Sequence, residues 1–356
     1  MTGQDDVRND AAMPDGVAKA DAARPVTEPA APREPLRVVF MGTPDFAAAS
    51  LKALIAWPGA EVLCVYTQPD RPCGRGQECV PSPVKRAALE AGPGHKIEVR
   101  QPLNFKDQAD VDALRALSFD VLVVAAYGLI LPQSVLDAPR LMPVNVHASL
   151  LPRWRGAAPI QRALEAGDLV TGITIMKMEL GLDSGPILLQ RALRIADGDT
   201  AGSLHDELAE MGAEALLDAL TRLPQGRLMQ LAQDEARVTH APKLSKEEGL
   251  IDWNRAAEPL HNHIRAMHPW PGAFFDWEQA PGKVLRLNIE PGTIGADKPS
   301  GMAPGTVMGL VDTPDGQRLA IATADKLYLV ARITPRGKKP QDAKAFACGY
   351  LKACQG

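Results

Sequence analysis

Short apolar runs alternate with amphipathic stretches along the first two thirds of the chain. The run Arg37-Val-Val-Phe-Met41 ends in Gly42-Thr-Pro-Asp45, and an amphipathic stretch follows to about residue 56. Further apolar runs cover residues 62–67, 120–126, 144–147 and 173–178, with helical patterns between them. Uninterrupted apolar strands joined by helices are typical of a parallel sheet covered on both faces. The pattern therefore predicts an open α/β domain over residues 36–226.

After residue 245 the pattern changes to short strands punctuated by Gly, Pro and Asp. The predicted strands are 250–253, 272–277, 283–289, 305–311, 319–323 and 326–332, with one helical segment at 254–267. This spacing favours a small all-β barrel or sandwich over residues 246–356. Residues 227–245 show little periodicity and are predicted to be a linker.

Residues 1–35 differ from both of these regions. They are rich in Ala, Pro and Asp and contain no aromatic residue, which predicts a disordered extension. They also lack the apolar core of a secretory signal. The 356 residues suit two domains, and no apolar run is as long as a membrane helix. Because five cysteines are too few for a disulfide scaffold, we expect a cytoplasmic protein with no membrane partner.

The segment Asn145-Val-His147, at the end of a predicted strand, is the first candidate for chemistry. Side chains two residues apart on a strand lie on one face, so the amide and the imidazole would be neighbours. Such a pair suits a reaction that develops an oxyanion and moves a proton. The same pattern also fits a structural histidine beside a capping asparagine.

Asp183 is the second candidate, in a loop flanked by Gly181 and Gly185. It follows the predicted strand at 173–178, and ligands of open α/β sheets bind beyond the carboxyl ends of the strands. We therefore expect Asp183 to reach His147 and to fix its tautomer. The alternative is an aspartate that only shapes a turn.

A net charge of −4 means that contact with a nucleic acid requires a local basic patch. Arginine binds phosphate in a bidentate geometry, so a mobile basic loop is suited to hold a nucleic-acid end. The alternative is a solvated surface loop. The candidates are Arg71, Arg75, Lys85 and Arg86 in a loop rich in Pro and Gly, and Arg336, Lys338 and Lys339 near the end of the chain.

Three other motifs do not meet the spacing that their chemistry needs. Gly42-Thr-Pro lacks the G-x-G-x-x-G pattern of dinucleotide sites. Cys73 and Cys79 lack a second pair of zinc ligands, so we expect no metal site. His261 and His263 point apart on a helix and are predicted to be surface residues.

Together, these segments resemble the methionyl-tRNA formyltransferase family. The resemblance covers residues 36–350, in order and across both predicted domains. The matching motifs are Phe-Met-Gly-Thr-Pro-Asp-Phe-Ala (40–47), Thr-Gln-Pro-Asp-Arg-Pro (67–72), Gly-Arg-Gly (74–76), Pro-Ser-Pro-Val-Lys (81–85), Ala-Ala-Tyr-Gly-Leu-Ile-Leu-Pro (125–132), Asn-Val-His-Ala-Ser-Leu-Leu-Pro-Arg-Trp-Arg-Gly-Ala-Ala-Pro-Ile-Gln (145–161), Gly-Leu-Asp-Ser-Gly (181–185), Lys-Leu-Ser-Lys-Glu-Glu (243–248), Ile-Asp-Trp (251–253), Arg-Ala-x-x-Pro-Trp-Pro (265–271) and Gly-Lys-Lys (337–339).

The family implies a Rossmann-like formyltransferase domain followed by an OB-like β-barrel. It implies transfer of a formyl group from 10-formyltetrahydrofolate to the methionine amino group of initiator methionyl-tRNA, without a metal, and we expect a monomer. Asn145, His147 and Asp183 match the catalytic residues. The residues that match the folate-binding stretches are Tyr127, Gly128, Leu129, Ile130, Leu131, Ser149, Leu150, Leu151, Pro152, Leu182, Ser184 and Gly185.

The tRNA contacts implied by the family lie in the two basic regions. The loop with Arg71, Arg75, Lys85 and Arg86 resembles the insertion that meets the acceptor stem, with Arg75 as its leading residue. The barrel would contribute Arg336, Lys338 and Lys339 to tRNA phosphates.

Three alternatives remain open from the sequence. A formyltransferase acting on a small amine, such as glycinamide ribonucleotide or an amino-sugar nucleotide, would share the same three catalytic residues. A hydrolase of 10-formyltetrahydrofolate would use water as the acceptor. A non-catalytic RNA-binding protein would have no need of all three residues. The basic loop together with the barrel favours tRNA as the acceptor.

Overall fold

The computed structural model describes residues 34–73, 78–92, 94 and 97–351. Nearly all of the predicted disordered extension, and Arg75, lie outside these residues. The first strand begins at Leu36, which is where the sequence predicts the first domain to begin.

Up to residue 245 the chain forms eleven strands and six α-helices among the described residues. The strands are β1 (Leu36–Gly42), β2 (Ala60–Tyr66), β3 (Arg71–Cys73), β4 (Glu78–Val80), β5 (Glu98–Arg100), β6 (Val121–Ala125), β7 (Met142–His147), β8 (Arg155–Gly156), β9 (Val170–Lys177), β10 (Ile187–Arg194) and β11 (His240–Ala241). The helices are α1 (Asp45–Ala56), α2 (Pro83–Leu89), α3 (Gln108–Arg115), α4 (Gln133–Leu136), α5 (Pro159–Glu165) and α6 (Ala201–Arg222), with 3-10 turns at Leu223–Gln225 and Glu235–Arg237.

Seven of these strands form one sheet in the order β10-β9-β7-β6-β1-β2-β5. The pairs from β7 to β5 are parallel, which confirms the α/β class predicted from the apolar runs. Strand β9 runs antiparallel to β7, and a hairpin joins it to β10, which runs antiparallel to β9. The predicted parallel arrangement is therefore present from β7 to β5 and is wrong for β9.

Helices cover both faces of the sheet. Apolar residues of α1 and α6 pack on one face, against Val38 and Phe40 of β1. Residues of α3 and α4 pack on the other face, against Val39 and Met41. Strand β1 is therefore buried on both sides, which explains why its sequence is a continuous apolar run rather than an alternating one.

The chain after residue 245 has its own set of elements. The strands are β12 (Ala273–Ala280), β13 (Lys283–Ile289), β14 (Thr293–Asp297), β15 (Val307–Thr313), β16 (Gly316–Ala322), β17 (Lys326–Val330), β18 (Arg332–Pro335) and β19 (Gln341–Asp342). The helices are α7 (Ala257–Ala266) and α8 (Ala343–Phe346), with a 3-10 turn at Glu247–Gly249 and a π-helical turn at Ala347–Leu351.

These strands form two four-stranded antiparallel sheets, ordered β12-β13-β18-β19 and β14-β17-β16-β15. Residues of both sheets share one apolar core, as the predicted small β domain requires. The strand predicted at 250–253 is wrong, because only Leu250 makes an isolated bridge, to Phe274. Strands β14, β18 and β19 are not among the predicted elements.

Helices α5 and α7 connect the two regions through charged residues. Arg162 lies 2.6 Å from Glu248, and Glu165 accepts a hydrogen bond of 3.0 Å from His263 Nδ1. The bond from His263, followed by that from Arg162, lowers the pKa of Glu165 to about 2. His263 is buried, so the prediction that it lies on the surface is wrong. The expectation that His261 and His263 point apart is correct, since His261 contacts Tyr328 instead.

The structure also bears on the expected absence of a membrane helix and on the state of the cysteines. None of the helices in the described part of the chain is long and apolar enough to cross a membrane. Cys64 and Cys79 are free thiols.

Candidate active site

Asn145 and His147 lie at the carboxyl end of β7, in the middle of the sheet. Val144 and Val146 pack into the apolar core, so the alternating side chains of Asn145 and His147 project from the opposite face. Asn145 is 8% exposed and His147 is 6% exposed. Within the described residues, no hydrogen bond engages the Asn145 side chain. Its amide therefore remains available to an added molecule.

The imidazole of His147 is hydrogen-bonded through one nitrogen and faces a carboxylate with the other. Nε2 lies 2.9 Å from the carbonyl oxygen of Trp154, and because a carbonyl only accepts, Nε2 is the donor. Nδ1 lies 3.7 Å from Asp183 Oδ2, which is longer than a direct hydrogen bond. Nδ1 is therefore the nitrogen that remains for proton transfer, with a carboxylate beside it.

The Asp183 carboxylate is held by a distant backbone N–H as well as by its contact with His147. Its Oδ2 accepts a hydrogen bond of 2.8 Å from the backbone N–H of Gly156. Asp183 and Trp154 have φ values of 47° and 65°, in the left-handed region that residues other than glycine rarely occupy. Such conformations cost of order 1–3 kcal/mol each, so the surrounding contacts must hold them in place.

Asp183 reaches His147 by a different route from the one that the sequence predicts. Because β9 runs antiparallel to β7, its end at Lys177 pairs with Val144, the opposite end of β7 from His147. The loop after β9 must therefore fold back over the face that carries Asn145 and His147. The predicted contact is present, but the reason given for it, a shared carboxyl edge of parallel strands, is wrong.

The run 149–152 predicted to contact folate is tied to the neighbouring strand β9. The Ser149 hydroxyl donates to the Arg153 carbonyl at 2.7 Å, and Thr174 binds the backbone of both Ser149 and Leu151. Leu151 packs against Met176 and Ile187. Leu150 and Pro152 are half-buried. The run thus forms a rigid wall next to His147.

The other two predicted folate stretches differ in exposure. Ile130 is 95% exposed and Leu182 is 65% exposed, whereas Tyr127, Leu131 and Gly185 are buried. Gly128 is exposed, and Leu129 and Ser184 are half-buried. The buried Tyr127 hydroxyl has no hydrogen-bond partner among the described residues, and burial raises the pKa of this tyrosine. Tyr127 packs in the apolar core beneath β6 with Tyr66 and Phe105.

The predicted tRNA-binding residues fall into two groups. Arg86, Arg336, Lys338 and Lys339 are exposed and form no ion pair within the described residues. Lys85, in contrast, is paired with Asp70 at 2.6 Å and donates to Gln101 at 2.8 Å. The hydrogen bond from Lys85, followed by one that Gln101 Nε2 donates to Asp70, holds the pKa of the Asp70 carboxyl below its usual range. Arg71 lies in β3. Its side chain and the whole of Arg75 are outside the described structure.

One component of this region has no signal in the sequence. Residues 231–241, predicted to be part of a linker, pack against both loops that hold His147 and Asp183. Strand β11 pairs in parallel with β8, and Gln233 binds the backbone carbonyls of Asp183 and Gly185. No periodic signal marks these contacts. Gln233 binds backbone groups 50 and 48 residues away, and Glu235 binds the Arg155 side chain 80 residues away.

No group of three or more His, Cys, Asp or Glu side chains in the described residues is arranged to hold a metal ion. The candidate site therefore consists of an amide, an imidazole and a carboxylate, next to a wall of backbone and aliphatic groups.

Comparisons with known proteins agree on one family. Residues 36–220 match the model described as "Formyl transferase", and residues 243–351 match "Formyl transferase, C-terminal domain". A methionyl-tRNA formyltransferase of Nitratidesulfovibrio vulgaris (strain DP4) is 57% identical over 322 residues, which are 90% of this chain and 95% of the relative. One of Pseudomonas syringae pv. syringae (strain B728a) is 48% identical over 307 residues, covering 86% of this chain and 92% of the relative.

Two solved structures are similar in fold. The N-formyltransferase of Helicobacter canadensis, in complex with folinic acid and dTDP-3-aminofucose, has a TM-score of 0.58 at 15% identity and covers 83% of this chain and 98% of its own. HypX of Aquifex aeolicus, in complex with tetrahydrofolic acid, has a TM-score of 0.56 at 17% identity and covers 89% of this chain. This chain spans about half of HypX, 48% of its length.

Proposed function

The chain belongs to the methionyl-tRNA formyltransferase family, and on that premise we propose that it carries out the family's reaction at Asn145, His147 and Asp183. The reaction moves the formyl group of 10-formyltetrahydrofolate to the amino group of methionine on initiator methionyl-tRNA. The observation that carries the assignment is the position of His147, whose imidazole lies between the Trp154 carbonyl and the Asp183 carboxylate at the end of β7.

The proposed mechanism follows from the chemistry of these three groups. The methionyl amine attacks the formyl carbon, a C–N bond forms, and the formyl oxygen becomes an oxyanion. The Asn145 amide and the protonated Nδ1 of His147 stabilise that oxyanion. Asp183 supports the imidazolium and accepts the proton of the attacking amine through a water molecule. Collapse of the intermediate breaks the bond to N10 of the folate, which takes the proton of His147 Nδ1 as it leaves. The proton held by Asp183 then returns to His147 and restores the imidazolium.

The proposed folate slot is lined by residues 127–131, 149–152 and 182–185. The wall at 149–152 supports this proposal because its backbone is fixed by Thr174, which would keep the donor at one distance from His147. The exposed side chains of Ile130 and Leu182 would be covered when the donor binds.

The proposed tRNA contacts are Arg71, Arg75, Arg86, Arg336, Lys338 and Lys339. Phosphate contacts supply affinity and orientation rather than sequence reading. For Lys85 we propose an indirect role, since its ammonium group is already paired with Asp70. We also propose that the protein is a cytoplasmic monomer and that residues 36–226 and 246–356 act as its catalytic and tRNA-binding domains.

The test is an assay of label transfer with the purified full-length protein. Formyl-labelled 10-formyltetrahydrofolate is incubated with initiator methionyl-tRNA, elongator methionyl-tRNA or no tRNA, and label in acid-precipitable aminoacyl-tRNA is counted. We expect label on the initiator tRNA alone. Release of formate without tRNA would instead make the protein a hydrolase.

Transfer to glycinamide ribonucleotide or an amino-sugar nucleotide, with none to tRNA, would contradict the proposed acceptor. Size-exclusion chromatography with light scattering tests the monomer, and elution at twice the chain mass would contradict it.

A further inference from the structure

Residues 231–241, here called the strap, connect the two loops that flank His147. Leu231 forms a pair of backbone hydrogen bonds with Ile187, 2.8 and 2.9 Å long, at the start of β10. At the other end, Ala241 pairs with Gly156 in the β11–β8 ladder. The strap therefore contacts the chain immediately after the Asp183 loop and the chain immediately after Trp154.

Gln233 lies within the strap. Its side-chain amide donates both of its hydrogens and accepts one hydrogen bond at its oxygen. Its Nε2 donates to the carbonyl oxygen of Asp183 at 2.7 Å and to that of Gly185 at 2.8 Å. Its Oε1 accepts from Arg155 Nε at 3.0 Å. One amide thus fixes two carbonyls of the Asp183 loop and connects them to the loop after His147.

Arg155 gives this connection a rigid base. Its side chain is only 7% exposed and binds Glu235, also in the strap, at 2.7 Å. The backbone next to it is tied as well, because Trp154 N–H donates to the Thr239 hydroxyl at 2.9 Å and Arg155 N–H donates to the Thr239 carbonyl at 2.9 Å. The Trp154 carbonyl that holds His147 Nε2 therefore belongs to the same network.

The geometry points to Gln233 as a positioning residue that holds the Asp183 carboxylate against Gly156 N–H and His147 Nδ1. This inference rests on the proposed function, in which Asp183 takes part in catalysis. Asp183 has φ = 47° in a loop with Gly181 and Gly185 on either side, so its backbone has no preference of its own for this conformation. The two hydrogen bonds from Gln233 select it, and losing them lets the carboxylate move away from His147.

Two variants separate the hydrogen bonds from the volume of the side chain. Gln233→Ala removes the whole amide. Gln233→Glu keeps the volume and the acceptor for Arg155 but replaces the donor with an oxygen that repels the two carbonyls. Gln225→Ala is the matched control, because Gln225 also donates to a backbone carbonyl, that of Thr221 near the end of α6, but lies outside the strap.

We expect both Gln233 variants to lower kcat about ten- to hundredfold, which is the scale of loss when a reacting group is displaced by about 1 Å. The KM for each substrate should stay within about threefold, since only the transition-state contact is lost. If Gln233 were only structural, the loss of kcat in each variant would follow the drop in that variant's melting temperature. We instead expect Gln233→Glu to be as inactive as Gln233→Ala even where the melting temperature of Gln233→Glu is close to that of the wild type. Gln225→Ala should match the wild type.

Asp183→Asn, measured in parallel, separates the inference from the proposed function. If Asp183→Asn keeps wild-type kcat, the catalytic assignment of Asp183 fails and the inference fails with it. If Asp183→Asn loses kcat while Gln233→Glu keeps it, the proposed function stands and the positioning role of Gln233 is wrong. A rise in the folate KM of the Gln233 variants without a loss of kcat would also overturn the inference.

Discussion

The residues around His147 and the basic residues at 336–339 differ in how the rest of the chain holds them. His147 is 6% exposed, and both of its nitrogens face groups contributed by other segments. Arg336, Lys338 and Lys339 are exposed, and none of them forms an ion pair within the described residues.

This difference follows from what each region must do. Catalysis requires groups held within a fraction of an ångström, which calls for burial and for hydrogen bonds from several segments. Contact with tRNA phosphates requires positive charge at the surface and tolerates flexible side chains. Substitutions in the first region should therefore change kcat, whereas substitutions in the second should change affinity and its dependence on salt.

After His147 itself, the largest effect is expected from Asn145→Ala. Losing one donor to a developing oxyanion typically costs about 10²–10³ in kcat. The KM values should change little, because the amide is proposed to act on the transition state. The measurement is steady-state formyl transfer, with the exposed Asn254→Ala of the second domain as the matched control. A loss confined to the KM for folate would make Asn145 a binding residue and not an oxyanion donor.

The next effect concerns the contact between the two regions and depends on pH. Glu165 has a pKa of about 2 because His263, and then Arg162, hydrogen-bond to its carboxylate. A lowered carboxyl pKa contributes stability that is complete above the ordinary value of 4.5 and is lost as the pH falls toward 2. His263→Ala should therefore lower the free energy of unfolding by about 1–3 kcal/mol at neutral pH and reduce its decline in acid.

Urea denaturation between pH 6 and pH 3 measures this effect, with the exposed His240→Ala as the control. Parallel stability curves for His263→Ala and the wild type over this range would show that the ion pair does not contribute.

A smaller effect is expected from removing one surface charge at a time. Arg336→Ala, Lys338→Ala and Lys339→Ala should each weaken tRNA binding and reduce the slope of log affinity against log salt by about 1. The kcat at saturating tRNA should be unchanged. Lys52→Ala, an exposed lysine of α1, is the matched control. If Lys52→Ala changes the slope as much as the other three, the effect is one of net charge and not of this surface.

The smallest effect distinguishes two neighbouring residues that the sequence grouped together. Lys85 is partly buried and paired with Asp70, whereas Arg86 is exposed without an ion pair in the described structure. Lys85→Ala should lower stability by about 0.5–1 kcal/mol, and Arg86→Ala should leave it unchanged. Thermal unfolding checks both. A lower melting temperature for Arg86→Ala alone would mean that the roles of the two residues are reversed.

The sequence predicts the parts of the fold that local pattern determines. The apolar runs locate β1, β2, β6 and β7 because strands in the interior of the sheet are largely buried and therefore mostly apolar. Strand direction is not encoded in such a run, so the antiparallel β9 and the return of the Asp183 loop are not predicted. Gln233 and Lys85 are missed as structural residues because their partners are distant in the sequence.

A single-turnover experiment shows whether formyl transfer depends on His147. Enzyme in excess over initiator methionyl-tRNA, and saturated with 10-formyltetrahydrofolate, is mixed rapidly with the tRNA. Formylated tRNA is followed for the wild type, His147→Ala and His205→Ala, a control on α6 whose imidazole bonds to the adjacent Asp206 and lies outside the strap. Loss of a group that stabilises charge and moves a proton typically costs about 10²–10⁴ in rate, so His147→Ala should be at least about 10²-fold slower and His205→Ala should match the wild type. A His147→Ala rate within about threefold of the wild type would mean that the transfer does not take place at His147, because such a factor is far below any catalytic contribution.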